Sequence, residues 1–194
     1  MKGFTLIESM VALSIIMVAI TVPLYNASKG LTAAKSVNYQ LGASYLAQEG
    51  IEFVRMMRDN EYLIALKAGG ADVSGDAWRA FLQEPPGGSP RGKNTVSACL
   101  GGNVCALDTA DAFVSPLRQC LAPDCSDYPL YTVPLNGRYT LSADANNLSR
   151  YTRSIQVTSI VGAAAEVRVT STVRWTFHGQ PFTVVINTHL TGWQ

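Results

Sequence analysis

Charge is scarce in this chain. Lys, Arg, Asp and Glu together make 15% of its 194 residues and leave a net charge of +1; soluble domains carry about 25% charged residues. No basic cluster stands anywhere along it, so nothing supplies the phosphate contacts of a nucleic-acid interface, and no nucleic acid is expected as a partner. Histidine is nearly absent, with only His178 and His189. No G-x-S-x-G, Walker A loop or H-E-x-x-H occurs. No catalytic residue is therefore assigned, no cofactor is expected, and the chain is not read as an enzyme. Cysteine is confined to Cys99, Cys105, Cys120 and Cys125, in C-x5-C and C-x4-C spacings. A structural zinc site prefers C-x2-C. Asp108, Asp111, Asp124 and Asp127 lie among the same loops without a recognisable calcium-loop spacing. No metal site is assigned.

What is present is concentrated at the start. From Phe4 to Leu24 the only charged residue is Glu8. A helix of that length, at about 1.5 Å per residue, spans roughly 30 Å, the thickness of a bilayer's hydrocarbon core. Lys29 and Lys35 follow the run. A secretory signal would show a basic n-region, a shorter apolar core and a small-residue cleavage site after it. None of these is found, and a plain membrane anchor has no use for Glu8. A carboxylate in a membrane span costs several kcal/mol and needs a partner. If the chain is cut between Gly3 and Phe4, the new α-amino group of Phe4 lies about one helical turn from Glu8. In an array of such helices it also reaches the Glu8 of a neighbour. Opposite charges in apolar surroundings attract strongly and fix register.

Gly3-Phe4-Thr5-Leu6-Ile7-Glu8 followed by an apolar run resembles the prepilin signal of type IV pilins and type II secretion pseudopilins. The resemblance covers roughly residues 3–28. It implies that a prepilin peptidase cuts after Gly3 and N-methylates Phe4. It also implies that the helix anchors the subunit in the cytoplasmic membrane, with the C-terminal domain periplasmic or extracellular, and that the helix later forms a filament core. Glu8 then serves assembly and register, and Pro23 matches the proline common near the end of the family's apolar helix. The leader Met1-Lys2-Gly3 is shorter and less basic than usual there. Implied partners are other pilin or pseudopilin subunits, the peptidase and an inner-membrane assembly platform. Leu46-Ala47-Gln48-Glu49-Gly50-Ile51-Glu52-Phe53-Val54-Arg55 is similar to a segment of minor pilins of the pilus modification type. The resemblance implies a minor pilin. A type II secretion pseudopilin, or an anchored adhesin that does not polymerise, is the alternative.

The remainder divides by pattern. Residues 1–3 form the leader, 4–28 the membrane and assembly helix, and 29–66 the amphipathic half of the same helix. Tyr39, Ala43, Leu46, Gly50, Phe53 and Met57 make its apolar stripe. Pro23 removes an amide hydrogen, and Asn26, Ser28 and Gly30 are weak helix formers, so a bend or melted stretch is expected around 20–30. Residues 67–137 carry turn signals at Gly69-Gly70, from Pro85 to Pro90 and at Gly101-Gly102, and read as a loop-rich insertion. Within it, Asp76 to Gln83 is a short helix candidate capped by Asp76, docking Trp78 and Phe81. The four cysteines are expected as disulfides if this region lies outside the cytoplasm. The local pairing Cys99–Cys105 and Cys120–Cys125 is preferred over the nested one, which stays open. Residues 138–194 alternate as strands, Tyr139–Ser142, Tyr151–Ile160, Glu166–Phe177 and Phe182–Leu190. Turns fall at Gly162-Ala163-Ala164 and His178–Pro181, and Trp193 is placed on the core. The fold class is α+β: a long N-terminal helix, its hydrophobic half protruding, packed on a C-terminal antiparallel sheet with a disulfide-containing loop region between. This is the pilin-like fold that the resemblance implies.

Overall fold

A computed structural model describes residues 5–83, 95–110, 116–144, 147–160 and 165–192. Gly3, Phe4, the Pro85–Pro90 run, Asp111, Gly162-Ala163-Ala164 and Trp193 lie outside the described residues. Helix α1 runs from Leu6 to Ala68. It passes through two compact units, Met1–Leu41 and Gly42–Gln194.

In the first unit every described residue up to Leu41 is helical from Leu6 onward. The stretch 20–30 is not melted: helix continues on both sides of Pro23. Hydroxyls along the way bond back to their own turns, as Thr21 Oγ1 does to Met17 O at 2.7 Å and Ser28 Oγ to Tyr25 O at 2.8 Å. Such bonds satisfy the hydroxyls within the helix, which runs on unbroken through them.

The second unit is the α+β domain. Its main sheet has the order β2-β1-β6-β7-β8. The strands are β1 (Val104–Leu107), β2 (Leu117–Gln119), β6 (Tyr151–Ser159), β7 (Glu166–Phe177) and β8 (Gln180–Thr191). All of its pairs are antiparallel. A small second sheet joins β3 (Tyr131–Thr132), β4 (Tyr139–Thr140) and β5 (Asn147–Leu148) in the order β4-β3-β5. The main sheet is larger than the three-stranded meander read from the sequence. Strands β1 and β2 come from the turn-rich middle of the chain and extend it beyond β6. They are too short to show a periodicity of their own; the long strand β6 recruits β1 by pairing Val104 with Gln156 and Cys105 with Ile155, and β1 in turn pairs with β2.

The alternation of β7 fixes its packing. Val167, Val169, Ser171, Val173 and Trp175 are buried. The buried face of α1 within this unit runs through Ala43, Leu46, Ala47, Gly50, Ile51, Val54, Met57, Glu61 and Ala65. The stripe is broader than the single 4-3-4 row expected, and Phe53 is only half buried. A helix lying on a flat sheet buries two adjacent rows, and a one-row template finds only one of them. Ile51, Val54 and Met57 meet Ile155, Val157, Val167, Val169 and Leu190 in one core. Helix α2 (Val73–Leu82) adds Trp78 and Phe81 to it. Its cap is Asp72, not Asp76: the Asp72 carboxylate accepts the Gly75 amide at 2.9 Å. Asp76 instead lies in the first turn, where it pairs with Arg79.

Along the chain both disulfides lie between α1 and β6. Cys99 bonds Cys105 and Cys120 bonds Cys125. The first ties the 3-10 turn Ser97–Cys99 to β1, and both its sulfurs are in the core.

Candidate functional site

Thr5 is the residue that starts α1. Its Oγ1 accepts the Glu8 amide at 3.4 Å, and its carbonyl accepts the amides of Glu8 and Ser9. Thr5 is thus the N-cap and Glu8 the third helical residue, the spacing of a capping box. The Thr5 cap is not among the sequence expectations, although Thr-x-x-Glu is its signal. The positive end of the helix dipole favours a carboxylate at this position. Among the described residues no cation pairs with Glu8.

From Leu6 the surface is apolar and open. An 18-residue window of α1 has mean hydropathy 2.1 and none of it is buried, so the helix is long and apolar enough to cross a membrane. Leu6, Ile7, Met10, Val11, Leu13, Ile15 and their neighbours are exposed through Leu24. Ser9 and Ser14 each donate to the carbonyl three residues back at 2.8 Å. These hydroxyls are satisfied inside the helix, which is what a lipid or apolar neighbour requires. Lys29 sits 5.4 Å from the ring centre of Tyr25 and marks where polarity returns.

In the second unit one polar cluster stands out. Arg153 lies on the inward face of β6 and is fully buried. Its Nη1 donates to Glu49 Oε2 at 2.7 Å and to Leu46 O at 3.3 Å, and its Nη2 donates to Leu107 O at 2.9 Å. Its Nε has no partner among the described residues. Burial pushes the guanidinium below its ordinary range, while Glu49 and then Asp108 pull it back up. Asp108 is itself buried and accepts Thr140 Oγ1, the Leu141 amide and the Ala110 amide, each at 2.9 Å. The cluster joins α1, β1, β4 and β6. Glu49 is not part of the apolar stripe read from the sequence. The signal that could have found it was Arg153 itself, an inward charge in an alternating strand, which needs a carboxylate opposite.

Glu49 also lines an open groove of about 400 Å³ with Gly42, Tyr45, Leu46, Gly137, Arg138 and Tyr139. Burial raises the Tyr139 phenol above its usual value; Arg150 acts against this and Glu49 with it. The other acidic candidates serve local structure. Asp127 accepts the Leu121 amide and Asp124 accepts the Ser126 amide. The Ser126 bonds are what hold the Asp124 carboxyl below its ordinary range. No cluster able to hold a metal occurs among the described residues. His178 sits in the β7–β8 turn, and His189 pairs with Glu166.

Residues 1–22 match a family pattern described as the prokaryotic N-terminal methylation motif. No curated protein and no solved structure matches the chain.

Proposed function

We propose that this chain, which fits a type IV prepilin-like protein with an α+β pilin-like architecture, is a minor pilin: a structural subunit of a pilus-like filament. The observation that carries the reading is the methylation motif over residues 1–22 on a helix that is apolar, exposed and internally satisfied. In this reading the peptidase cuts between Gly3 and Phe4 and methylates Phe4. The helix anchors the subunit as a single pass, with the second unit outside the cytoplasm. On assembly it leaves lipid for a bundle of like helices. The exchange is nearly neutral in hydrophobic energy, since lipid tails are as apolar as the neighbours. A directional interaction must therefore favour the bundle, and Glu8 supplies it by pairing with the Phe4 amine of a neighbour. Pro23 lets the helix bend where packing asks for it.

Intact-mass measurement of the protein from its native host tests the reading. The expected species lacks Met1–Gly3 and carries one added methyl on Phe4. A full-length, unmodified N-terminus sinks it. Glu8→Val should insert into the membrane normally yet be lost from filaments; normal incorporation would remove the register role of Glu8.

A further inference from the structure

The main sheet has two edges of different character. At one, β2 is three residues long and runs into Cys120, which is tied to Cys125. Arg118 stands exposed on it. Short length, a charge and a nearby loop are the devices by which natural sheets blunt an edge. At the other, β8 is 12 residues long and lies last in the strand order. At roughly 3.4 Å per residue it offers an edge of about 40 Å.

The register tells which groups that edge presents. Phe177 and Gln180 flank the two-residue turn His178-Gly179 and are paired, so they are the hydrogen-bonded pair that closes the hairpin. Alternation then turns the amides and carbonyls of Phe182, Val184, Ile186, Thr188 and Leu190 toward β7, and those of the residues between them outward. Pro181 agrees with this phase, because it falls on an outward position where a missing N–H costs no ladder bond. The outward amides of Thr183, Val185, Asn187 and His189 have no backbone partner among the described residues. Among the described residues only the far end is engaged, where Thr191 O accepts Arg58 Nη1 at 3.2 Å. Strand β8 contains no Lys, Arg, Asp or Glu to guard it. Its apolar side chains remain open: Phe182 is 40% exposed and Val185 54%, and Val184 and Ile186 are half buried.

We propose that β8 is a docking edge, and that an extended segment of a different polypeptide joins it as a further strand. Its backbone pairs with the outward groups of Thr183, Val185, Asn187 and His189, and its alternate apolar side chains continue the row of Phe182, Val184 and Ile186. A row of unpaired donors and acceptors at strand spacing selects an extended partner, since a helix has already satisfied its own backbone. A second copy of this chain fits poorly. Antiparallel β8 on β8 requires a two-fold axis, which a head-to-tail filament lacks, and β2 offers only three residues. That last exclusion rests on the filament reading; the open edge does not.

Asn187→Pro and Thr183→Pro in the full-length chain each remove one outward amide and leave the β7–β8 ladder intact. They should melt within a few degrees of the parent, yet be retained about tenfold more weakly in isolated native assemblies, the worth of one or two backbone hydrogen bonds. Hydrogen exchange gives a readout independent of folding of the variants. In the parent chain, Phe182, Val184 and Ile186 should be protected both in detergent and in assemblies, whereas Thr183, Val185 and Asn187 should be protected in assemblies alone. Free exchange of those outward amides in assemblies overturns the docking edge. A photocrosslinker at Val185 and another at Leu13 separate the two readings. A Leu13 product without a Val185 product overturns the edge and leaves the filament. A Val185 product with the mass of two copies of this chain overturns the assignment to a different polypeptide.

Discussion

At Gly50 the helix packs tightly against the sheet. A Cβ there would lie 2.7 Å from Ser171 Oγ and 3.0 Å from Ile155 Cδ1. Alanine is the better helix former by about 1 kcal/mol, but here it overpacks a filled site, at a cost of about 1–3 kcal/mol. Gly50→Ala is therefore expected to lower the melting temperature. Adding Ser171→Ala removes the nearest atom and should recover most of the loss. Tyr139 makes a pH prediction. Burial raises its folded pKa above the unfolded value of 10.0. Its contribution to stability is thus fully present below pH 10.0 and is lost as pH rises through the folded pKa. Phenolate absorbance should show Tyr139 ionising later than exposed tyrosines, and Tyr139→Phe should lessen the alkaline fall in stability. The glycine's role was not legible in the sequence, because a helical glycine is a weak signal until the opposing strand is known. The tyrosine's was not legible either, because desolvation is a property of its neighbours.

Among elements, the two disulfides close loops of similar length, with separations of 6 and 5 residues. Chain entropy alone gives each about 2 kcal/mol. They differ in what they join. Cys99 and Cys105 are both wholly buried and tie a 3-10 turn to β1 inside the core. Cys120 is only half buried, and its loop displays Leu121 to solvent. Cys99→Ala with Cys105→Ala should therefore lower stability by more than Cys120→Ala with Cys125→Ala, measured by denaturant unfolding of the two double variants. Equal losses would mean that loop closure alone matters. The long strands β6, β7 and β8 stood out in the sequence, because alternation over nine or more residues is hard to mistake. The short strands β1 and β2 did not, because a strand of three or four residues is defined by the neighbour that pairs with it.

For the whole molecule, every buried core residue among the described ones lies from Ala43 onward, within the unit Gly42–Gln194. A chain lacking residues 1–28 is expected to be monomeric in water without detergent and to melt near the temperature of the intact protein in detergent. Gel filtration and circular dichroism check this, and aggregation of the truncated chain would show that the first unit is needed for folding. The first unit's character was determined by sequence alone, because run length, one isolated carboxylate and flanking lysines are local facts, and an exposed helix has no tertiary neighbour to override them. The α+β class was determined in the same way, by periods of 3.6 and 2 in separate segments. Tertiary structure alone decided which helix rows are buried, that β1 and β2 belong to the main sheet, that Arg153 takes Glu49 as partner, and that β8 is the edge strand among the described residues. Each of these depends on what stands opposite a residue in space, and spacing along the chain does not encode that.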